Sequence, residues 1–429
     1  MRRVVRENAL CAFMAAGGCA TVAWLGLYGF AWNDYDAEAR PSFEALTHGQ
    51  LLAFLRLAPA YGGSLLERAP FALIPGLWGG GALAVYRLVA LPCLLAAAVL
   101  GIWLVSRMRA EGRSKLARGV ALALCVANPV TLRALELGHP EELLGASLCV
   151  IAVLLAGRPS IGRDRSIWVG VVLGLAIANK EWALLAAGPV LLVLPPGRRL
   201  PCLAAAVAST AAVLAPLALG SSSGFVAGAR AAAAPPTAIF QPWQLWWFLG
   251  HHGALVHGAF GVPKPGYRIG PAWPGLIAHP LIVAFGLALS AALWLARRRL
   301  SERDALLALA LLMLARCVLD TWDAVYYTLP FLLALLAWET RTPSTRPPLL
   351  ALTSTVLVWV SFQWLSLHAS TDIQAAFFLA WSLPLAAWLG LRLCAPRLLA
   401  RAPTNPGRGR ASRPQEMTVS ALDRRVRTS

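Results

Sequence analysis

The sequence predicts an all-α, polytopic integral membrane protein of about twelve transmembrane helices, and three observations carry that expectation. Of 429 residues, 58% are hydrophobic and only 14% are charged, whereas an ordinary soluble domain has roughly a quarter of its residues charged. The apolar residues come in long runs. The first, Ala9 to Phe30, holds 22 residues without a charge, about 33 Å of helix and enough to cross a hydrocarbon core. The basic residues, finally, alternate from loop to loop. A cleavable signal peptide would have a shorter apolar part and would not be followed by so many further runs.

In chain order, spans are expected near 9–30, 82–106, 118–135, 142–156, 167–179, 181–195, 200–220, 275–296, 304–319, 325–338, 349–367 and 374–395. An even number puts both termini on one side. With that side cytoplasmic, the loops "MRRVVRE", "RMRAEGRSKLAR", "GRPSIGRDR", "GRR", "RRRLSER" and "TRTPSTR", together with everything from Arg392 onward, hold 28 of the 38 Lys and Arg. This is the positive-inside signature, so the net charge of +18 requires no nucleic-acid partner. Of the 20 acidic residues, 12 map to the other face, among them Asp34, Asp36, Glu38, Glu67, Glu142, Asp320 and Asp372. The outer face is therefore where chemistry is expected.

Two outer loops are long. The first, from Asn33 to about Gly81, contains "SFEALTHGQLLAFLRLAP" and "SLLERAPFALIPGLW", whose helical spacing of apolar residues predicts helices lying on the membrane surface. The second, from Ser221 to about Pro274, carries "FQPWQLWWFLGHHG". Its Trp243, Trp246, Trp247 and Phe248 read either as interfacial anchors or, for Trp243 and Trp247, as flat faces for a sugar or a prenyl chain. Residues 1–395 make one transmembrane domain, and 396–429 a basic cytoplasmic tail. From Ala402 the tail is rich in Pro, Gly, Ser and Arg, which predicts disorder beside anionic lipid. The eight cysteines form no CxxC pair, so neither a zinc site nor a disulfide framework is indicated.

Several apolar stretches are too short to cross alone, and they meet at polar turns: "NKEW", "ELGHPEEL" and "LDTWDAVYY". Non-helical backbone at such depth persists only against protein or water, so a cavity opening outward is expected. In "HPEE", Pro140 with Glu141 and Glu142 reads as a helix cap. Alternatively His139 and Glu142, three apart, share a face that meets sugar hydroxyls; one His and one carboxylate are too few for a metal site. Lys180 at a buried apex demands an anion, either Glu181 or a ligand phosphate. Arg316, one turn before Asp320, reads as an ion pair with it or as a phosphate ligand. Arg87 reads as a residue snorkelling to the headgroups.

A carboxylate just outside the first span, over an outward cavity with a phosphate-seeking Lys, fits sugar transfer from a lipid phosphate. The leaving group is already good, so the protein must chiefly remove a proton from the acceptor hydroxyl and hold the reactants in line. Asp34 is the expected base and Asp36 the second candidate: in an extended segment residues two apart face the same way. Pairing with Arg40 is the alternative for both carboxylates.

"NPVTLRALELGHPEELLGASL", "GLAIANKEWALLA" and "YYTLPFLLALLAWE", with the Asp-bearing first loop, resemble the GT-C membrane glycosyltransferases, and among them the family 87 type, which is similar to polyprenol-phosphate-mannose-dependent mannosyltransferases. The resemblance runs from Ala9 to about Cys394. It implies an inverting, metal-independent transfer of a hexose, mannose in that family, on the outer face of the cell membrane. The donor would be a polyprenyl-phosphate-linked sugar, and the acceptor a glycan, lipid or protein. No cofactor is implied. The base would map to Asp34 or Asp36, although "NDYDAE" departs from the simpler D-x-x-x-Y loop of that family. A lipid-linked-sugar flippase or transporter and a noncatalytic envelope-assembly protein, or a ligase of undecaprenyl-pyrophosphate glycans, are the other classes with such a composition.

Overall fold

A computed structural model describes residues 9, 11–20, 34–59, 61–158, 163–233, 241–253, 255–257, 263–297, 299–342 and 346–394. Of the first expected span Ala9 and the helix α1 (Cys11–Ala20) fall among them; the rest of that span and the tail 396–429 lie outside the described residues.

The first loop is helical and folds on itself. A π-helical turn, Tyr35–Ala39, runs straight into α2 (Arg40–Thr47), and α3 (Leu51–Leu57) and α4 (Gly62–Leu73) follow. Pro41 sits in the first turn of α2, where its missing N–H is no loss. Tyr35, Phe43, Phe54, Leu65 and Tyr86 make a small core of their own. On the opposite side Leu51, Leu52, Leu57, Leu73, Leu77 and Trp78 are exposed, an apolar surface of the kind a headgroup region would cover.

The body is a helix bundle. Its elements are α5 (Ala82–Ala110), α6 (Lys115–Val126), α7 (Pro129–Leu137), α8 (Glu141–Ala156), α9 (Arg163–Asn179), α10 (Ala187–Val193) and α11 (Pro196–Gly220). After α12 (Ser222–Ala233) and the two-residue strands β1 (Val256–His257) and β2 (Pro263–Lys264) come α13 (Trp273–Arg297), α14 (Glu302–Leu319), α15 (Leu329–Thr340), α16 (Leu349–Trp359), α17 (Leu365–His368) and α18 (Thr371–Cys394). Among the described residues six helical segments are long and apolar enough to cross a membrane: Ala82–Ala110, Lys115–Leu137, Pro196–Gly220, Trp273–Arg297, Leu349–His368 and Thr371–Cys394. The breaks fall at chemically marked places; Asn128 Oδ1 caps α7 by accepting the Val130 N–H at 2.9 Å, just ahead of Pro129.

Burial sorts the helices. None of the residues of α8, α14 and α15 is exposed, as expected for helices whose central turns are apolar all round. α11, α13 and α18 bury little and expose Leu and Val. The central helices are also short: α15 has 12 residues, about 18 Å, against 29 in α5, about 43 Å. Gly170 and Gly174, four apart on α9, let it approach α11 so closely that a Cβ on either would strike a backbone carbonyl of Cys202 or Ala206.

Charges collect at the two ends of the bundle. At one end Arg107 donates to Glu302 at 2.8 Å, Arg341 donates to Glu302 at 2.7 Å and also pairs with Glu111, and Arg297 meets Asp304 at 2.8 Å. These residues belong to the loops expected to share the basic face. The other end of α5 carries Tyr86, packed on Tyr35, and with it the first loop.

Candidate functional site

Gly138 brings Asp34 and His139 together. It ends α7 in the left-handed region at φ +91°, and a Cβ there would lie 2.6 Å from the Tyr35 backbone nitrogen. Only glycine permits both the turn and the approach. The next residue, His139, is then presented to the residue before Tyr35. His139 Nε2 lies 3.2 Å from Asp34 Oδ2, and Nδ1 lies 2.8 Å from Glu141 Oε1. The imidazole is 5% exposed, Glu141 1%, and the Asp34 side chain 38%, so the three lead from solvent to the interior. Asp34 Oδ1 has no hydrogen-bond partner among the described residues. Tyr326 stacks on the imidazole at 4.4 Å and Tyr61 lies tilted at 6.0 Å.

Behind the histidine the charges are paired. Arg68 Nη2 is 3.3 Å from Glu141 Oε2, and Lys180 Nζ is 3.4 Å from Glu141 Oε1 and 3.5 Å from Glu142 Oε1. Lys180 also sits over the Tyr61 ring at 3.7 Å, whose hydroxyl donates to Glu38. All four charged groups at this junction are buried, and a buried charge persists only when compensated. Burial would lower the His139 pKa, but the Glu141 charge and the hydrogen bonds to Asp34 and Glu141 outweigh it and lift it from 6.5 to about 9. The ring is therefore an imidazolium at neutral pH, and both nitrogens donate.

Several expectations need correction. The segment at Asp36 is helical, not extended, so Asp34 and Asp36 diverge. Asp36 instead accepts from Arg40 at 3.0 Å on the exposed side, beside a 2.6 Å Arg40–Glu44 bond. Lys180 pairs with Glu141 and Glu142, not with the exposed Glu181. His139 turns to Glu141 and Asp34 and does not share a face with Glu142, whose carboxylate oxygens accept no hydrogen bond. Arg316 makes no ion pair with Asp320, which lies 3.4 Å from His279. Its guanidinium donates to the Tyr327 carbonyl at 3.3 Å and lies against the rings of Tyr327 and Trp182. Arg87 is exposed near the start of α5.

The tryptophans also differ from expectation. Trp247 is wholly buried, its indole N–H donating to Asp372 at 2.7 Å, so it neither anchors at an interface nor offers a face. Trp243 stacks on Phe362 at 4.4 Å and donates to the Ser361 carbonyl. Of the aromatic run only Phe248 is largely exposed. Asp372 also receives both arms of Arg268, at 2.8 and 2.7 Å, and pins the second loop to α18. A cavity of about 190 Å³ between α3 and the α11–α12 junction, lined by Leu55, Arg56, Pro59, Leu217 and Phe225, contains none of the residues of the Asp34 site.

Sequence reasoning reached Asp34, His139 and Lys180 but passed over Glu141 as a cap and did not single out Arg68 or Tyr61. The signal for Arg68 was present: an arginine beside Glu67 in the middle of a mostly apolar stretch. Among the described residues no group of three or more His, Cys, Asp or Glu is arranged to hold a metal ion. No protein-family model matches the chain, and no curated protein matches it.

Proposed function

We propose that this chain is a membrane glycosyltransferase of GT-C type with about twelve spans. It would move a hexose, mannose being the sugar that the resemblance implies, from a polyprenyl-phosphate donor to an acceptor hydroxyl at the outer face of the cell membrane. The observation that carries the reading is the Asp34 carboxylate: part-exposed at the edge of a buried polar junction and held through Oδ2 by His139, while Oδ1 has no hydrogen-bond partner among the described residues.

In the proposed step the acceptor oxygen attacks the anomeric carbon, the bond from that carbon to the phosphate oxygen breaks, and the phosphate leaves with the electron pair. The acceptor proton passes to Asp34 Oδ1. A positioned base of this kind contributes roughly a hundred- to ten-thousand-fold. Lys180 is already neutralised by Glu141 and Glu142. Arg316, which has no ion pair among the described residues, is the better candidate for the donor phosphate, and Glu142 for a sugar hydroxyl. Clustering of the basic loops at the end of the bundle away from Asp34 supports placing that end in the cytoplasm.

The test uses purified protein in nanodiscs with polyprenyl-phosphate sugars and a panel of acceptors. Release of polyprenyl phosphate together with a glycosylated product is expected. Movement of a labelled donor across proteoliposomes without release would instead establish a transporter.

A further inference from the structure

We infer that Glu141 is a positioning residue for Asp34, acting through His139, and that Arg68 and Lys180 serve this device by compensating the buried Glu141 charge. The inference rests on the reading of Asp34 as the base and assigns parts to three residues that the transfer step itself does not use.

The geometry is that of a clamp. The imidazole bridges two carboxylates, Asp34 at 3.2 Å and Glu141 at 2.8 Å. Its ring plane is fixed by Tyr326 on the 3₁₀ turn before α15 and by Tyr61 at the start of α4. The charged groups facing the junction are Asp34, Glu141 and Glu142, Lys180 from the α9 end, Arg68 from α4, and Glu38 through the Tyr61 hydroxyl. Arg68 is itself held by the Ser64 carbonyl at 3.0 Å and the Ser64 hydroxyl at 3.2 Å. The Glu141 carbonyl accepts from Asn179 at 2.9 Å. Glu141 is therefore tied to α4 through Arg68, to the end of α9 through Lys180 and Asn179, and to the turn before its own helix through His139.

The clamp matters when the proton moves. Once the acceptor proton reaches Asp34 Oδ1, Asp34 is neutral and no longer stabilises the imidazolium. Glu141 still does, so the ring keeps its proton on Nδ1 and goes on donating from Nε2 to the same Asp34 oxygen. With glutamine in place of Glu141, no carboxylate would hold the ring's charge once Asp34 is neutral, and the ring would give up its proton more readily. Either tautomer would then be allowed, and one of them would turn an acceptor nitrogen toward the carboxylate. Orientation of the base would be lost although Asp34 itself is intact.

The test is a titration of the full chain in nanodiscs with ¹⁵N-labelled histidine, the His139 signal being assigned by its loss in His139→Gln. The wild-type imidazole should titrate at about 9. In Glu141→Gln its proton affinity should fall by ten-fold or more, about one pH unit, whereas Glu141→Asp should retain most of it. Lys180→Gln, which removes a neighbouring cation, should raise it and supplies a second variant should Glu141→Gln not fold. In parallel, the alkaline limb of the turnover profile should move to lower pH in Glu141→Gln with kcat reduced and donor KM unchanged. An unmoved His139 midpoint, or a uniform loss of turnover with the limb in place, overturns the inference. Absence of transfer by the wild type, with the His139 midpoint still moving between variants, would overturn the transferase reading and leave the His139–Glu141 coupling standing.

Discussion

His139 and Asp34, 105 residues apart in the chain, meet at 3.2 Å between Nε2 and Oδ2. Only one of the two aspartates in "NDYDAE" is held in this way. Asp36 is turned to Arg40, and both are about 40% exposed, a surface pair of the kind worth about 0–1 kcal/mol.

The two aspartates should therefore behave differently. Asp34→Asn is expected to lower turnover roughly a hundred- to ten-thousand-fold with donor binding kept, and Asp36→Asn to leave turnover within about two-fold, the effect of a weak surface pair. Parallel measurements of turnover and donor affinity decide it, and equal losses in the two variants would remove Asp34 from its special place.

Lys180 should matter more to stability than to donor affinity. Lys180→Met leaves Glu141 and Glu142 short of a cation in a buried site, and breaking such a pair costs about 3–5 kcal/mol. Adding Glu142→Gln removes one of the stranded charges, so the double variant should recover part of the loss. Thermal unfolding of the four proteins of this cycle gives the coupling; a Lys180→Met protein as stable as wild type would contradict the ion pairs.

At Gly138, alanine meets both a positive φ and the Tyr35 backbone. Gly138→Ala should destabilise by about 1–3 kcal/mol, the usual cost of such a conformation for a residue with a Cβ. It should also lower turnover, because the same turn aims His139. Preserved stability and turnover together would show that the turn is not the element that sets this distance.

The pH dependence of stability has a fixed sign. The folded His139 pKa is raised from 6.5 to about 9, so its contribution is fully present below about 6.5 and is lost as pH rises through 9, about 3 kcal/mol at most. Burial lifts Glu67, on α4, from 4.5 to about 8, and a carboxyl that prefers its proton when folded also makes stability fall as pH rises, between about 4.5 and 8. Glu67 is still losing its proton between pH 8 and 9, so the histidine's share is the difference between the wild type and His139→Gln. Unfolding temperatures should decline more steeply from pH 8 to 9 in the wild type than in His139→Gln; equal slopes would contradict a raised His139 pKa.

Asp372 should hold the second loop. Asp372→Asn weakens the bonds from Arg268 and Trp247, and amide exchange at 247–252 and 266–269 is expected to rise about ten-fold or more, the effect of losing a charge-assisted hydrogen bond. Unaltered exchange would mean that the capping of α14 by Leu245 and Trp246 suffices.

By itself the sequence determined that the chain is helical and apolar enough to cross a membrane, six such helices being present among the described residues. Apolar runs, Pro129, and the glycines and charges between runs mark where membrane helices start and stop, because the cost of exposing apolar surface or burying backbone is local and can be read residue by residue. It also marked Asp34, His139 and Lys180, since a charge beside or inside an apolar run is expensive wherever it goes. What it did not hold is the partner of each charge. Lys180 chose Glu141 and Glu142 over its own neighbour Glu181, and Arg316 chose the Tyr327 carbonyl over Asp320. Trp247 left the surface for Asp372. Each choice depends on which helix ends converge at one depth, and that is decided by packing: by Gly138 against Tyr35 and by Gly170 and Gly174 against α11. Helical spacing names the residues on a face. Only the assembled bundle sets which faces meet, because compensation of a buried charge is a property of all the helices around it.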